Sequence, residues 1–495
     1  MANAMFKTKS LAKLMEESTE SKNSLKRTLT APNLIALGIG AIIGAGLFVR
    51  TASAAANNAG PSVTLGFILA GVGCLFAGLC YAEFASMIPI AGSAYTYSYA
   101  TMGELVAWII GWDLVLEYAL GAATVGIAWS EYLNKLVEYF GWHIPYEWCH
   151  SPFEKLTDAA GNVSAHGMMN VPALLIICLL SLLLIRGTKE SAFVNGLIVI
   201  TKVAIVILFI CFGWSYMNPV NHVPYIPEPT IYNDSQGVAH NYGGLLGILG
   251  AAGTVFFAFI GFDAVSTAAQ EAKNPKRDMP IGILGSLAIC TVLYILFAHV
   301  LTGVASVDDF RHQGKEASVT YAINTYMHNF GWLAKLVTVA ILAGFSSVIL
   351  VMLMGQSRVF YSMSQDGLVP KIFSDLHPKH RTPYKSNLLF LVFVGLFAAF
   401  VPGDIVGDMT SIGTLFAFML VCAGVWILRV KNPDAPRQFK TPLVPLVPIL
   451  GILACGLMIF GLGWPNWVRL GIWMLIGFVI YFSYGIKKSK LNNNP

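Results

Sequence analysis

Residues 38–48 read GIGAIIGAGLF, with glycine at positions 38, 40, 44 and 46 in the middle of an apolar stretch. A glycine in a helix interior costs roughly 0.5–1 kcal/mol relative to alanine. A segment this apolar is therefore weakening its own helix at the midpoint, and the fold turns on why. One reading is a helix-packing face, because Gly40 and Gly44 form a GxxxG. That reading leaves Gly38 and Gly46 without a purpose. A dinucleotide fingerprint fails, because a GxGxxG starting at Gly38 needs glycine where Ile43 stands.

The surroundings set the solvent. The chain has 495 residues, 56% hydrophobic and 12% charged, with a mean hydropathy of +0.65. Soluble domains carry about 25% charged residues, and a helix needs about 20 apolar residues to cross a bilayer. Twelve stretches meet that need: 34–57, 63–88, 103–136, 169–186, 190–214, 244–269, 282–305, 331–364, 386–402, 406–429, 443–464 and 467–488. No stretch alternates as a barrel strand would. The expectation is an all-α polytopic membrane protein with twelve spans. The net charge of +5 is not a nucleic-acid signal: with a cytoplasmic amino terminus, 23 of the 31 Lys and Arg fall in inner segments and seven in outer ones, with Lys202 inside a span. That asymmetry predicts both ends in the cytoplasm. Residues 1–33 are polar and mixed in charge and do not read as a cleavable signal.

A second interruption lies in the sixth stretch, GTVFFAFIGFDAVSTAAQEAKNPKRDMP (Gly253–Pro280), around Phe259-Ile260-Gly261-Phe262-Asp263. The first and sixth stretches open two groups of five. Interrupted helices at matching places in two halves point to inverted repeats around a transport site. Unwound backbone survives in hydrocarbon only where it lines protein or a water-filled cavity. A break exposes N–H groups and a positive dipole end on one side and carbonyls on the other. One such end suits a carboxylate, and the carbonyls of two breaks suit an ammonium. Every α-amino acid carries that pair of groups.

Five charged residues lie within the apolar stretches. Lys202 sits in NGLIVITKVAIVILFICFGW about seven residues from the inner end near Asn195. That is roughly 10 Å of helix, a long way to snorkel. An intramembrane lysine is a functional candidate, since burial disfavours its charged form and lets it exchange a proton. Glu117, in GWDLVLEYALG, either faces the substrate, binding a cationic side chain or carrying a proton, or stands as a structural carboxyl between helices. Asp263 either caps a half-helix or shapes a gate. Asp113 lies a turn from Glu117 and is assigned no role. Glu83, in AGLCYAEFASMIP, reads as part of an ion pair at the inner face.

Five segments carry a family resemblance: GIGAIIGAGLF; Ala77–Glu104; IIGWDLVLEYALG; FFAFIGFDAVSTAAQEAKNPKRDMPIGI; and SRVFYSMSQDGLVPKIFSDLHPKHRTPYKS. In this order they resemble the amino acid–polyamine–organocation superfamily, most closely its cationic amino acid transporter branch and the bacterial ApcT-type members. The resemblance implies a LeuT-like fold. Spans 1–5 (34–214) and 6–10 (244–429) would be inverted repeats, followed by two extra helices (443–488), with spans 1 and 6 unwound at the centre. Residues 1–33 and 489–495 would be short cytoplasmic segments. It implies that the N–H groups of Gly44, Ala45 and Gly46 hold the substrate carboxylate. The carbonyls of Ile42, Phe257 and Ile260 would hold the ammonium, with the Phe257 ring over the substrate and Ile43 and Ala258 alongside. Lys202 would stand where sodium-coupled relatives bind their ion, beside Ser346 and Ser347. Met352 occupies a position where animal cationic transporters tend to have a small residue. It either shortens the pocket toward alanine-sized side chains or faces lipid or a neighbouring helix.

The expected function is proton-coupled uptake of L-amino acids by alternating access. Small neutral ones such as alanine come first, with cationic ones such as arginine and lysine as a second class. A cationic substrate is driven by the membrane potential at about 2.3 kcal/mol per 100 mV, so a proton-coupling lysine is of more use to a neutral one. Exchange, or amino acid sensing without transport, are the alternatives. Polyamines lack the carboxylate that the Gly44–Gly46 amides suit. No enzyme motif (HExxH, GxSxG) is present, and no cofactor or metal is expected. Seven cysteines fall in the spans and Cys149 in an outer loop, so no extracellular disulfide is expected. Asn162-Val-Ser164 and Asn233-Asp-Ser235 match the short glycosylation pattern, which chance produces often. The expected partners are the amino acid, protons and membrane lipids in a bacterial cell membrane. The protein would be a monomer, with a small accessory membrane subunit left open.

Overall fold

The computed structural model describes residues 5–9, 29–88, 93–157, 163–186, 192–234, 237–269, 272–312, 318–380 and 382–493. Most of the amino-terminal segment and both Asn162 and Ser235 of the glycosylation patterns lie outside them. Eight helical segments are long and apolar enough to cross a membrane, and four shorter apolar helices accompany them.

Helix α1 (Ala31–Ile42) starts behind Thr30, whose N–H donates to Asn33 Oδ1 at 3.1 Å. It stops at Ile43, which turns extended (ψ 102°). Helical backbone resumes at Gly46 and runs through π turns Gly46–Arg50 and Ala55–Ala59 to Gly60. Then follow α2 (Val63–Met87), the short α3 (Ser93–Thr101) and α4 (Glu104–Val115). A π turn at Leu116–Leu120 joins α4 to α5 (Gly121–Glu138), so Glu117 sits on a widened turn. Helices α6 (Val171–Arg186) and α7 (Ala192–Gly213) complete this half.

The second half opens with α8 (Gly244–Phe256), which tightens into a 3₁₀ turn at Phe257–Phe259. It breaks at Ile260 (ψ 133°) and Gly261 and resumes as Ala264–Thr267. After it come α9 (Pro275–Val304), α10 (Val307–His312), α11 (Ser318–Tyr326), α12 (Gly331–Gln365), α13 (Tyr384–Phe400) and α14 (Gly403–Lys431). Helices α15 (Leu446–Gly461) and α16 (Trp464–Ile480) close the chain. α9 packs along α2 and α1, α12 along α5, and α8 against α2 and α15. Two short hairpins that the sequence did not announce occupy the long loops: β1 (Lys155–Thr157) with β2 (Val163–His166), and β3 (Thr230–Asn233) with β4 (Ala239–Tyr242). Strands of three or four residues are too short for a period-2 pattern to show.

Both breaks lie in the buried interior and touch one another. A Cβ on Gly46 would stand 2.2 Å from Ala258 Cα and 2.5 Å from Ala258 N, so the first break needs glycine there for the second to approach. Gly44 has ordinary clearance, with its nearest neighbour Val348 at 3.6 Å. Of these two glycines, the close contact thus belongs to Gly46 and not to Gly44. Gly261 has φ +112°, and a Cβ there would lie 2.9 Å from Ala41 O. A side chain at a strained backbone position costs about 1–3 kcal/mol. Gly261→Ala is expected to lower the thermal unfolding temperature in detergent measurably, and an unchanged value would contradict this account of the second break.

Candidate functional site

The first break frees polar backbone groups on both of its sides. Ile43 N–H makes the last bond of α1, to Ile39 O at 2.9 Å. Beyond it, the N–H groups of Gly44, Ala45 and Gly46 meet no acceptor among the described residues. They head the outer half-helix, so the positive end of its dipole adds to three unbonded donors. Gly44 O already serves that half-helix, accepting from Leu47 N at 3.2 Å and Phe48 N at 3.4 Å.

The carbonyl side is partly occupied. Gly40 O, which the N–H of residue 44 would have bonded in an unbroken helix, accepts instead from Lys202 Nζ at 2.8 Å. Lys202 is 1% exposed, so it does not reach the membrane surface. It stands at the negative end of α1, where a cation is favoured. Gly344 of α12 makes the room: a Cβ there would lie 2.5 Å from Lys202 Cε. Ser346 Oγ donates to Leu342 O of its own helix at 2.9 Å, and Ser347 is buried nearby in sequence. Among the described residues, no hydrogen bond joins either serine to Lys202.

Tyr294 of α9 ties the two breaks together. Its hydroxyl lies 3.0 Å from Ile42 O and 3.0 Å from Ala258 O, and its single proton serves one carbonyl at a time. Phe257 O accepts from Ile260 N at 3.3 Å. Phe257, Ala258 and Ile260 are all buried. The structure therefore gathers Ile42, Ile43, Gly44, Ala45, Gly46, Phe257, Ala258 and Ile260 at one junction, and adds Tyr294, which nothing in the sequence singled out.

The acidic residues form a separate group behind the second break. Glu117 and Asp263 are fully buried and face each other, with Thr414 of α14 also against Glu117. Tyr118 Oη donates to Asp263 Oδ2 at 2.6 Å. Both Glu117 oxygens and Asp263 Oδ1 lack a well-formed hydrogen bond among the described residues, as do both oxygens of Asp113. Asp263 makes no side-chain cap hydrogen bond to the half-helix Ala264–Thr267; its carboxylate is turned to Tyr118 and Glu117 instead. Met352 packs on the turn that carries Glu117: a Cβ on Gly121 would lie 3.0 Å from Met352 Sδ. The methionine is 5% exposed and faces α5, not lipid. Glu83 is an ion-pair residue, held by Arg429 Nε and Nη2 at 2.9 Å each and by Thr441 N–H at 2.8 Å.

Ion pairs close the structure at both ends. Arg50, 2% exposed, binds Asp404 Oδ1 at 2.8 Å and also Asp408, while Ser53 Oγ donates to Asp404 at 2.9 Å. At the other end Lys9 Nζ binds Asp366 Oδ1 at 3.2 Å, and Tyr95 Oη donates to Asp366 Oδ2 at 2.8 Å. Lys7 Nζ donates to Leu491 O at 2.6 Å, placing the described first and last residues together at this end.

A bundle of apolar helices around two interrupted ones, with free amides at one break and a buried lysine beside it, defines a polytopic membrane protein. The comparisons make the class specific: a family model described as amino acid permease matches residues 29–483. The chain belongs to the amino acid permease family, within the amino acid–polyamine–organocation superfamily. It is 44% identical over 495 residues to a branched-chain amino acid permease of Bacillus subtilis, covering 99% of this chain and all of that protein. It is 39% identical to a methylthioribose transporter of the same organism, covering 99% and 100%. A vacuolar cationic amino acid transporter of Arabidopsis thaliana is 34% identical, over 83% of this chain and 61% of that one. These relatives are named as permeases and transporters, not enzymes.

The Tyr294 bridge gives a direct test. One hydrogen bond is worth about 1 kcal/mol, or about fivefold in affinity. Tyr294→Phe is expected to weaken substrate binding about that much in a radioligand assay. Unchanged affinity would show that the hydroxyl does not hold the two breaks in their binding geometry.

Proposed function

We propose that the protein is a secondary active transporter that takes up a neutral L-amino acid together with a proton by alternating access. The observation that carries this reading is the row of unbonded N–H groups at Gly44, Ala45 and Gly46 heading a half-helix. That is a carboxylate site. The substrate ammonium goes to the carbonyls of Ile42, Phe257 and Ile260, and the Phe257 ring covers the side chain. The scaffold is read as twelve spans in a LeuT-like arrangement: 34–214 and 244–429 as inverted repeats, 443–488 as two added helices. Both ends lie in the cytoplasm, in keeping with the Lys/Arg asymmetry and with the shared location of residues 5–9 and Ser489–Leu491.

Lys202 is the first coupling residue. Charged, it satisfies Gly40 O and holds α1 in place; neutral, it releases the dipole end that it neutralises. Ser346 and Ser347 stand on the helix that makes room for it. The Glu117–Asp263 pair is a second place for a proton. Met352 narrows the pocket at Gly121, which favours aliphatic side chains from alanine to the branched-chain residues and agrees with the name of the relative at 44% identity. The Arg50 and Lys9 ion pairs close the two ends, and each would open in turn during transport. A second reading rests on the relative at 39% identity: methylthioribose has neither carboxylate nor ammonium, and if it were the substrate the amides of Gly44–Gly46 would face a hydroxyl instead.

Uptake of labelled alanine, leucine and arginine into proteoliposomes, with and without an inward proton gradient, tests the reading in wild type and Lys202→Ala. Gradient-driven accumulation of alanine or leucine is expected, falling at least tenfold in Lys202→Ala while substrate binding persists. Uptake that ignores the gradient and requires amino acid on the opposite side would make the protein an exchanger. Binding without any flux would make it a sensor, and methylthioribose outcompeting the amino acids would overturn the substrate class. Arginine outcompeting leucine would move the specificity to cationic amino acids and to Glu117.

A further inference from the structure

We propose that the buried hydroxyls of Tyr81, Ser266 and Tyr97 are the route by which a proton leaves the Glu117–Asp263 pair toward the end of the molecule that carries residues 5–9, with Tyr97 as the last internal relay. The inference rests on the proton-coupled reading above and adds residues that this reading does not use.

Among the described residues the carboxyl pair has no cation of its own: Lys202 is engaged at Gly40. Two facing carboxyl groups in an apolar interior must hold a proton between them. A proton held there is useful for transport only if it has a way out. On one edge of Asp263 the way is taken, because Oδ2 accepts the Tyr118 hydroxyl. Oδ1 is free, and the hydroxyls that approach this region are Tyr81, which faces both Asp263 and Glu117, and Tyr97, which faces Asp263 and Ser266.

Tyr81, Tyr97 and Ser266 are essentially unexposed, and none of their hydroxyls has a well-formed hydrogen bond among the described residues. Buried hydroxyls are normally paired, so three unpaired ones in the region of an unpaired carboxylate oxygen call for a function. Packing holds the two tyrosine rings in place. The Tyr81 ring meets Phe262 and Phe418 edge-on at 5.6 and 5.4 Å, and the Tyr97 ring stacks on Phe84 at 5.3 Å.

α3 itself lies between the acid pair and that end. Tyr95 and Tyr99, on the face of the helix opposite Tyr97, bond Asp366 (2.8 Å) and the buried Glu104 (2.9 Å), and Lys9 N–H donates to Tyr99 O at 3.1 Å. The step beyond Tyr97 therefore goes through water and not along the tyrosines of α3. A hydroxyl both donates and accepts. Each relay residue takes up one proton from the carboxyl side as it gives one up on the far side, directly or through water. The pair loses one proton, the aqueous phase gains one, and no tyrosine is left charged.

The test separates net uptake from exchange. In proteoliposomes loaded with a pH-sensitive dye, Tyr97→Phe is expected to lose at least tenfold of gradient-driven uptake of alanine or leucine and of the accompanying proton flux. Counterflow of labelled against unlabelled amino acid, which completes without releasing the proton, is expected to stay within twofold of wild type and reports that the variant is folded. Ser266→Ala is expected to show the same split. Unchanged net uptake in Tyr97→Phe overturns the relay, and so does a parallel loss of net uptake and counterflow in both variants, which marks a structural role. Wild type that moves amino acid with no proton flux overturns the coupling reading itself, and the relay with it.

Discussion

Inside a bilayer, a helix cannot be broken unless each freed backbone group finds a partner, and the centre of this protein is organised by that constraint. α1 ends in mid-membrane at Ile43. Lys202 answers the carbonyl of Gly40, and Tyr294 answers those of Ile42 and Ala258. The amides of Gly44–Gly46 are left over. In the proposed transporter they are left for the substrate. A break otherwise costs stability, and in the proposed transporter its unsatisfied groups form the binding site.

The same constraint links binding to movement. Gly46 and Ala258 are in direct contact, and Tyr294 touches carbonyls of both breaks, so the outer half-helix and α8 are held as a unit. Arg50, on that half-helix, is fastened to Asp404 and Asp408 of α14. The guanidinium is buried, while Asp404 and Asp408 are 39% and 19% exposed, so water on the carboxylate side screens the pair and lowers its worth. At the opposite end both partners of the Lys9–Asp366 pair are partly exposed, at 15% and 18%, and such pairs are worth little on their own.

Much of this was legible in the sequence because it departs from what a bilayer tolerates. Glycines in an apolar run, a second break at the matching place, and a lysine mid-span each stand out against a uniform background. Glu83 was readable as an ion-pair residue for the same reason. Tyr294 was not readable: it looks like any aromatic in a span, and one of its acceptors lies 252 positions away. Gly344 was hidden likewise, because its meaning is a contact with Lys202 on another helix. The meeting of Glu117 with Asp263 depends on a π turn at Leu116–Leu120, whose one extra residue per turn leaves no mark on composition. Met352 was ambiguous between the pocket, lipid and a neighbouring helix, because its contact with Gly121 of α5 leaves no trace in either segment alone.

The central claim is that the amides of Gly44–Gly46 recognise a carboxylate, and equilibrium binding of matched ligands tests it most directly. Calorimetry on the purified protein would compare leucine with leucinol, which keeps the ammonium and side chain but replaces the carboxylate with an alcohol. Hydrogen bonds to a charged group contribute about 1.5–3 kcal/mol each, so leucine is expected to bind at least a hundredfold more tightly. Equal affinities for the two would contradict the account, since the break would then serve some purpose other than holding a carboxylate.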